Sequence, residues 1–276
     1  MPMILYDASL NGVSIHTLAE EIILRDIVEN PANMDIQTAK RSMHPGTRET
    51  SSVRRKLEID LVFVIYTQDS RRRAEIAGLV AAWANEGGWL TVNTRPGMRL
   101  HVTPTQMPSQ GSALRWQEDI TLTLTAFEQP YWEDEGDGKL VNLDTVWSDS
   151  EGMSQAFTVI RPSGNVGKVP VTCFAYNMDE VPLTYLKIVV DDTMMEFKGM
   201  NIEGGGVFGG WFKIDYTDDD ILQIKNVRDD ENPSLMKYRT AESSDDLMAR
   251  CNVNNQVSVY SDAVLNITFY AKGRWL

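Results

Sequence analysis

Two alternating runs in this chain each stop on a knot of bulky side chains. Trp116–Phe127 leads into Pro130-Tyr131-Trp132, and Ala263–Ala271 leads into Gly273-Arg274-Trp275-Leu276. Alternation of apolar and polar residues with a period of two puts one face of a strand in a core. Between the two endings the strand pattern starts afresh. The chain therefore reads as two β-rich domains in series, each closed by packed aromatics, an arrangement that suits a rigid connecting part better than an enzyme.

Length and composition agree with two domains. The chain has 276 residues, 42% hydrophobic and 24% charged, enough for each half to bury a core without metal or disulfide help. Residues 1–132 carry 13 Lys/Arg against 15 Asp/Glu, and residues 133–276 carry 13 against 24. The second half should repel nucleic acid and anionic membrane, since phosphate binding needs a basic surface. The near-neutral first half better suits association with copies of itself. Cys173 and Cys251 form no C-x-x-C pair, which argues against a metal or thiol-redox site and fits folding in a cytosol. No basic, apolar leader opens the sequence, and no segment approaches a membrane span.

Along the first domain, Asn11-Gly12 is a hairpin signal. Residues 30–56 are rich in Thr, Ser, Arg and Pro, with few apolar anchors, and read as a long excursion from the domain. Leu57–Tyr66 alternates strictly. Asp69-Ser70 can cap a helix over about 70–86, with Ile76, Val80 and Trp83 on its buried stripe and Gly87-Gly88 as its left-handed stop. Arg71-Arg72-Arg73 in the first turn opposes the helix dipole; the run is either a solvated face or a contact for a neighbouring subunit's carboxylate. Residues 133–138, Glu-Asp-Glu-Gly-Asp-Gly, read as an acidic linker, and 139–276 as a β-sandwich with a strand at Leu235–Tyr238 and a helical turn near Ser244–Arg250.

Sequences with a chemical look have plainer readings. Gly204-Gly205-Gly206-Val207-Phe208-Gly209 satisfies G-x-G-x-x-G, but it leads into the alternating Trp211–Tyr216, not a helix, so it reads as a wide hairpin loop rather than a cofactor site. Gly164–Lys168 is too short for a phosphate loop. His16, His44 and His101 lack metal-ligand spacing and suggest no nucleophile–base set. No cofactor is expected. Trp211, Tyr216 and Tyr238 could stack on sugar rings; the alternative is that they fill the sandwich core. Carboxylates abound, but nothing selects the pair that glycan cleavage requires.

Taken in order, several of these residues resemble one family. Ala81-Ala82-Trp83-Ala84-Asn85-Glu86-Gly87-Gly88-Trp89-Leu90, then Trp116-Gln117-Glu118, then Pro130-Tyr131-Trp132 look like the amino-terminal domain of siphophage distal tail proteins. Gly164-Asn165, Trp211–Tyr216, Ser243–Leu247 and Gly273–Leu276 look similar to their second domain. The resemblance implies a mainly β fold: a split-barrel-like amino-terminal domain (1–132) with one helix, then a galectin-like β-sandwich (139–276). It implies a structural virion protein with no catalysis, made in the host cytoplasm and ending at the tail tip. There it would form a hexameric ring joining the tail-tube protein to a tail-tip hub protein, and it leaves a receptor-binding protein open as a further partner. Where the family often has Gly before Asn, ahead of the penultimate strand, this chain has Cys251-Asn252-Val253-Asn254-Asn255, which puts that turn's geometry at issue.

Two functions follow for testing. In the first, the protein is an adaptor whose Asp35–Lys56 excursion crosses to a neighbouring subunit, with Arg41, Arg48, Arg54 and Arg55 as charged anchors and Met43 as an apolar one. In the second, it is a carbohydrate-binding module acting through the acidic sandwich.

Overall fold

The computed structural model describes residues 5–30, 34–40, 47–54, 56–136, 138–143, 147–150, 153–205, 210–216, 222–226 and 234–276. The protein is mainly β, with several antiparallel sheets and one helix of more than five residues among those described. Contacts divide it into one unit of Met1–Glu135 and a second of Gly136–Trp275.

The first unit opens with β1 (Ala8–Leu10) and β2 (Val13–Ser14), joined by Asn11 and Gly12. Both turn residues have positive φ (52° and 80°), as the mirror-image turn of a two-residue hairpin demands. Next come β3 (Ile22–Asn30) and β6 (Leu57–Ile65), which pair from Ile22↔Ile65 to Asn30↔Glu58. Nested between them, β4 (Met34–Lys40) and β5 (Thr47–Arg54) pair with each other from Met34↔Arg54 to Lys40↔Thr47. The expected excursion therefore contains a β-ribbon, a two-stranded sheet of its own. At about 3.4 Å per residue, its strands are roughly 24 Å long.

After β6 the helix α1 (Ser70–Ala84) is capped by Asp69, whose carboxylate accepts from the Arg71 N–H at 2.9 Å. Ile76, Ala77, Val80 and Ala84 are its buried stripe, and the Trp83 indole N–H donates to the Val13 carbonyl. Gly87 then has φ +66°, the left-handed stop expected from the sequence, and a Cβ there would strike the Val102 carbonyl. The chain continues through β7 (Gly88–Val92), β8 (Met98–Gln106), the short α2 (Gln110–Leu114), β9 (Ile120–Ala126) and β10 (Trp132–Asp134). Strand order is β2-β1-β7-β8-β9-β6-β3, with β10 also on β8. Ile59, Leu61, Phe63, Leu90, Leu100, Leu122 and Leu124 are completely buried, which places the alternation of Leu57–Ile65 and Ile120–Ala126 toward the core. β10 lies partly in the stretch read as linker: Glu133 is buried and takes both the Nε and one terminal N–H of Arg99. A paired carboxylate can be buried where a bare one cannot.

The second unit is a sandwich. One sheet runs β11 (Lys139–Leu143), β22 (Leu265–Tyr270), β15 (Thr172–Asn177), β18 (Trp211–Tyr216), β19 (Leu222–Asn226). The other runs β12 (Trp147–Ser150), β13 (Met153–Ile160), β21 (Asn255–Ser261), β16 (Leu183–Val190), β17 (Thr193–Ile202). Cys173, Ala175, Phe212, Ile214, Ile267 and Phe269 from the first sheet meet Leu186, Ile188, Phe197, Val257 and Val259 from the second in one core. A smaller pair, β14 (Lys168–Pro170) with β20 (Met248–Arg250), stands beside them, and β23 (Arg274–Trp275) ends the unit.

Three local expectations are corrected here. The segment Met236–Tyr238 is a 3-10 turn, not a strand, and Met248–Arg250 is a strand, not helix. The glycine-rich stretch after β17 is not a hairpin loop: β17 and β18 lie in different sheets, so the chain crosses the sandwich there. Adjacent strands in sequence usually pair, but here, as between β11 and β12, β15 and β16, and β21 and β22, the chain changes sheets, which period-two reading does not reveal.

The turn before β21 is resolved in favour of asparagine. Asn252 itself has φ +60°, the left-handed conformation glycine would otherwise supply. The fully buried Asn255 then fastens the loop from inside. Its Oδ1 accepts from the Arg250 N–H at 2.8 Å, and its Nδ2 faces the carbonyls of Arg250 (2.9 Å), Val253 (3.0 Å) and Ile160 (3.3 Å).

Candidate functional site

Each unit presents a surface that its own packing leaves uncovered. In the first unit the β4–β5 ribbon is a sheet separate from the main one. Arg48 and Arg54 occupy β5, opposite Ala39 and Met34, whereas Arg41, Met43 and Arg55 lie outside the described residues.

The arginine run at the head of α1 divides: Arg71 lies on a solvated face, Arg72 is partly exposed, and Arg73 is buried. Arg72 forms a forked pair with Glu21 in the same chain (2.9 and 3.4 Å), and that hydrogen bond, before any longer-range attraction, holds the Glu21 carboxyl below its ordinary range. Arg71 approaches Glu75 one turn on, at 3.4 Å. Arg73 is buried and donates to the Thr67 carbonyl and, at 2.6 Å, to the Leu114 carbonyl. Its guanidinium thus brings the end of β6 beside α2, a tertiary partnership that one-dimensional dipole arguments cannot see.

That clamp also gathers apolar surface. Tyr66 (55% exposed) precedes one of the clamped carbonyls, Leu114 (48%) carries the other, and Trp116 (50%) follows two residues later. Single exposed hydrophobics are ordinary, but here three large ones lie within two residues of the carbonyls that one guanidinium gathers. β3, the last strand of the sheet, has a neighbour on one side only among the described residues, and Ile23 and Val28 on it are exposed. An open edge strand with apolar side chains is a template for another chain.

Elsewhere the first unit is braced. Glu29 on β3 accepts both Nε and a terminal N–H of Arg95 (2.9 and 2.7 Å) and the Trp132 indole N–H (3.3 Å). Arg99 lies 3.7 Å over the Trp89 ring, which meets His101 edge-on. His101 is therefore a stacking partner, and His16 sits between the Tyr6 and Ile22 carbonyls. His44 lies outside the described residues. Among the described residues no three His, Cys, Asp or Glu side chains gather as a metal cluster, and no helix is long and apolar enough to cross a membrane.

In the second unit the three aromatics expected to stack on sugar do not share a face. Trp211 points outward from β18. Tyr216 turns inward, packs on the core and accepts the Leu247 N–H at 2.9 Å; burial pushes its phenol pKa up. Tyr238 packs against the core from the 3-10 turn, with Lys237 over its ring. The structure instead brings Trp211 together with two residues that sequence reasoning missed, Phe174 and Tyr176. Ring centroids are 4.6 Å apart for Phe174–Trp211, 5.2 Å for Phe174–Tyr176 and 3.6 Å for Tyr176–Trp211. The signal was the phase of β15: Cys173, Ala175 and Asn177 are buried, so the large rings must face out.

No sequence-family model and no curated protein matches this chain. A solved structure does: the Dit (gp 19.1) protein of SPP1, described as a paradigm of the hub adsorption apparatus in phages infecting Gram-positive bacteria. It aligns with a TM-score of 0.65 at 10% identity, over 99% of this chain and 100% of its own. Two structures of the phage p2 baseplate in its activated conformation, with calcium and with strontium, align over 92% of this chain at TM-scores of 0.43 and at 8% and 9% identity. The fold is the Dit fold, in both units.

Proposed function

We propose that this chain is a non-catalytic hub of a long, non-contractile phage tail. Its first unit closes a ring with copies of itself, six by resemblance. The ring joins the tail-tube protein to a tail-tip hub protein and, through the second unit, offers a station for a receptor-binding protein. The observation that carries this reading is the whole-chain likeness to the SPP1 Dit protein, which spans both units instead of one shared module. The first unit supports it, with a separate two-stranded ribbon, a β3 edge that has one neighbour among the described residues, and exposed Tyr66, Leu114 and Trp116. A head-to-tail interface of this kind closes a ring when its rotation closes, and each contact should bury more than about 1,000 Å². The ribbon crosses to the neighbour, with Arg41, Arg48, Arg54, Arg55 and Met43 as its contacts.

The test is native mass spectrometry with light scattering on the full chain, and on a variant in which Asn-Gly replaces Gln37–Ser51. Register places Ile36 opposite Ser52, so a two-residue turn can close the shortened ribbon. The full chain should assemble into a closed ring and the variant should fall to smaller species. An unchanged ring in the variant refutes the ribbon's role. A full chain that stays monomeric at high concentration and turns over a defined substrate refutes the adaptor.

A further inference from the structure

We infer that the outward face of β22, β15 and β18 is a binding site for a neutral pyranose oligosaccharide. Backbone register sets the composition of that face. Tyr176 stands between Asn266 and Trp211, Phe174 between Thr268 and Lys213, and Thr172 beside Tyr270. Asp215, one step further along β18, pairs with Lys213. Of these nine side chains four are aromatic and eight, all but Phe174, can hydrogen-bond; none is aliphatic. A solvent-facing sheet surface ordinarily carries polar residues in these positions, so four rings on three adjacent strands call for a cause.

The chemistry selects the occupant. Three strands about 4.8 Å apart and five residues long give a footprint of roughly 250 Å², far below the ~800 Å² per partner of a stable protein interface. It is the right size for two or three sugar rings. A pyranose offers one face of C–H bonds to an aromatic ring and a rim of hydroxyls to polar groups. The Tyr176 and Tyr270 hydroxyls and the Trp211 indole N–H belong to rings on this face, with Lys213 and Asp215 beside them, whereas the Thr172 and Thr268 hydroxyls are engaged by the Tyr270 carbonyl and Asn142. Rings also stack on nucleobases, but residues 133–276 carry 24 acidic against 13 basic side chains and would repel a phosphate backbone. The opposite sheet provides the internal contrast: its outward face exposes aliphatic Val159 beside Phe157, and its Tyr185 and Tyr260 have lysines over their rings.

This site does not depend on ring assembly, and its test separates the two. Saturation-transfer NMR and tryptophan fluorescence on the full chain would use four neutral probes, N-acetylchitotetraose, cellotetraose, maltotetraose and lactose, with an octadeoxythymidylate as the anionic control. At least one sugar should bind with a dissociation constant of millimolar or below, and the oligonucleotide should not. Trp211→Ala and, separately, Tyr270→Thr should each weaken binding tenfold or more; two variants are used because one could fail to fold. Phe157→Thr on the opposite sheet should leave binding unchanged. No binding by any probe at 10 mM overturns the inference, as does binding that survives both face variants. So does a change in assembly mass on Trp211→Ala, which would mean that a second copy covers the face.

Discussion

Replacing Asn255 with alanine isolates a single buried amide. In the native chain it closes a short circuit with Arg250, accepting from that residue's N–H and donating back to its carbonyl, and it reaches the Val253 and Ile160 carbonyls besides. Alanine strands the Arg250 N–H, at about 1–3 kcal/mol for a buried donor left unmet. The carbonyls, each with a second lone pair, lose less. The total is about 3 kcal/mol. With an unfolding entropy of about 2.1 cal/mol/K per residue, a unit spanning Gly136–Trp275 should lose roughly 10 °C of melting temperature. Differential scanning calorimetry on the full chain measures this, with Asn254→Ala as the comparison, since Asn254 is exposed next door. A fall of less than about 3 °C, or an equal fall in the Asn254 variant, would refute the claim that Asn255 fastens the turn.

Two more outcomes follow from ionisable groups. Burial works against the Glu196 carboxylate, but Lys198, Tyr185 and Thr240 all donate to it, and the balance holds its pKa below the ordinary 4.5. Its contribution is therefore complete above pH 4.5 and disappears as pH falls through the lowered value, so Glu196→Gln should flatten the acid side of the stability profile. An unaltered acid limb in urea titrations would contradict this. Burial pushes the Cys173 thiol up to about 12, so a disulfide reagent at pH 8 should modify Cys251 slowly and Cys173 only after unfolding. Rapid labelling of both in the folded protein would be the contrary result.

Much of this architecture was legible in the chain. Leu57–Ile65 could hardly be anything but a half-buried strand, and Asp69 with Gly87 delimited the helix within two residues. What escaped was tertiary. Arg73 looks like one of three equivalent surface arginines until Leu114, 41 positions away, is seen to receive it. Trp211 and Tyr216 are five residues apart, an odd offset, so a strand must send them to opposite faces; composition alone had grouped them. The rings of Phe174 and Tyr176 lie outside the core because small Cys173 and Ala175 occupy the inward phase, against the habit of assigning size to the interior. The ribbon strands read only as part of a long excursion because, among the described residues, they pair with each other and need no apolar stripe.

The pairing of β11 with β22, from Lys139↔Tyr270 to Leu143↔Ile267, has an evolutionary reading. The sandwich receives its polypeptide and hands it back at neighbouring positions, like an appliance whose two leads share one socket. A recombination event could lift it out, or splice another in, while asking only that the replacement return its end to the starting place.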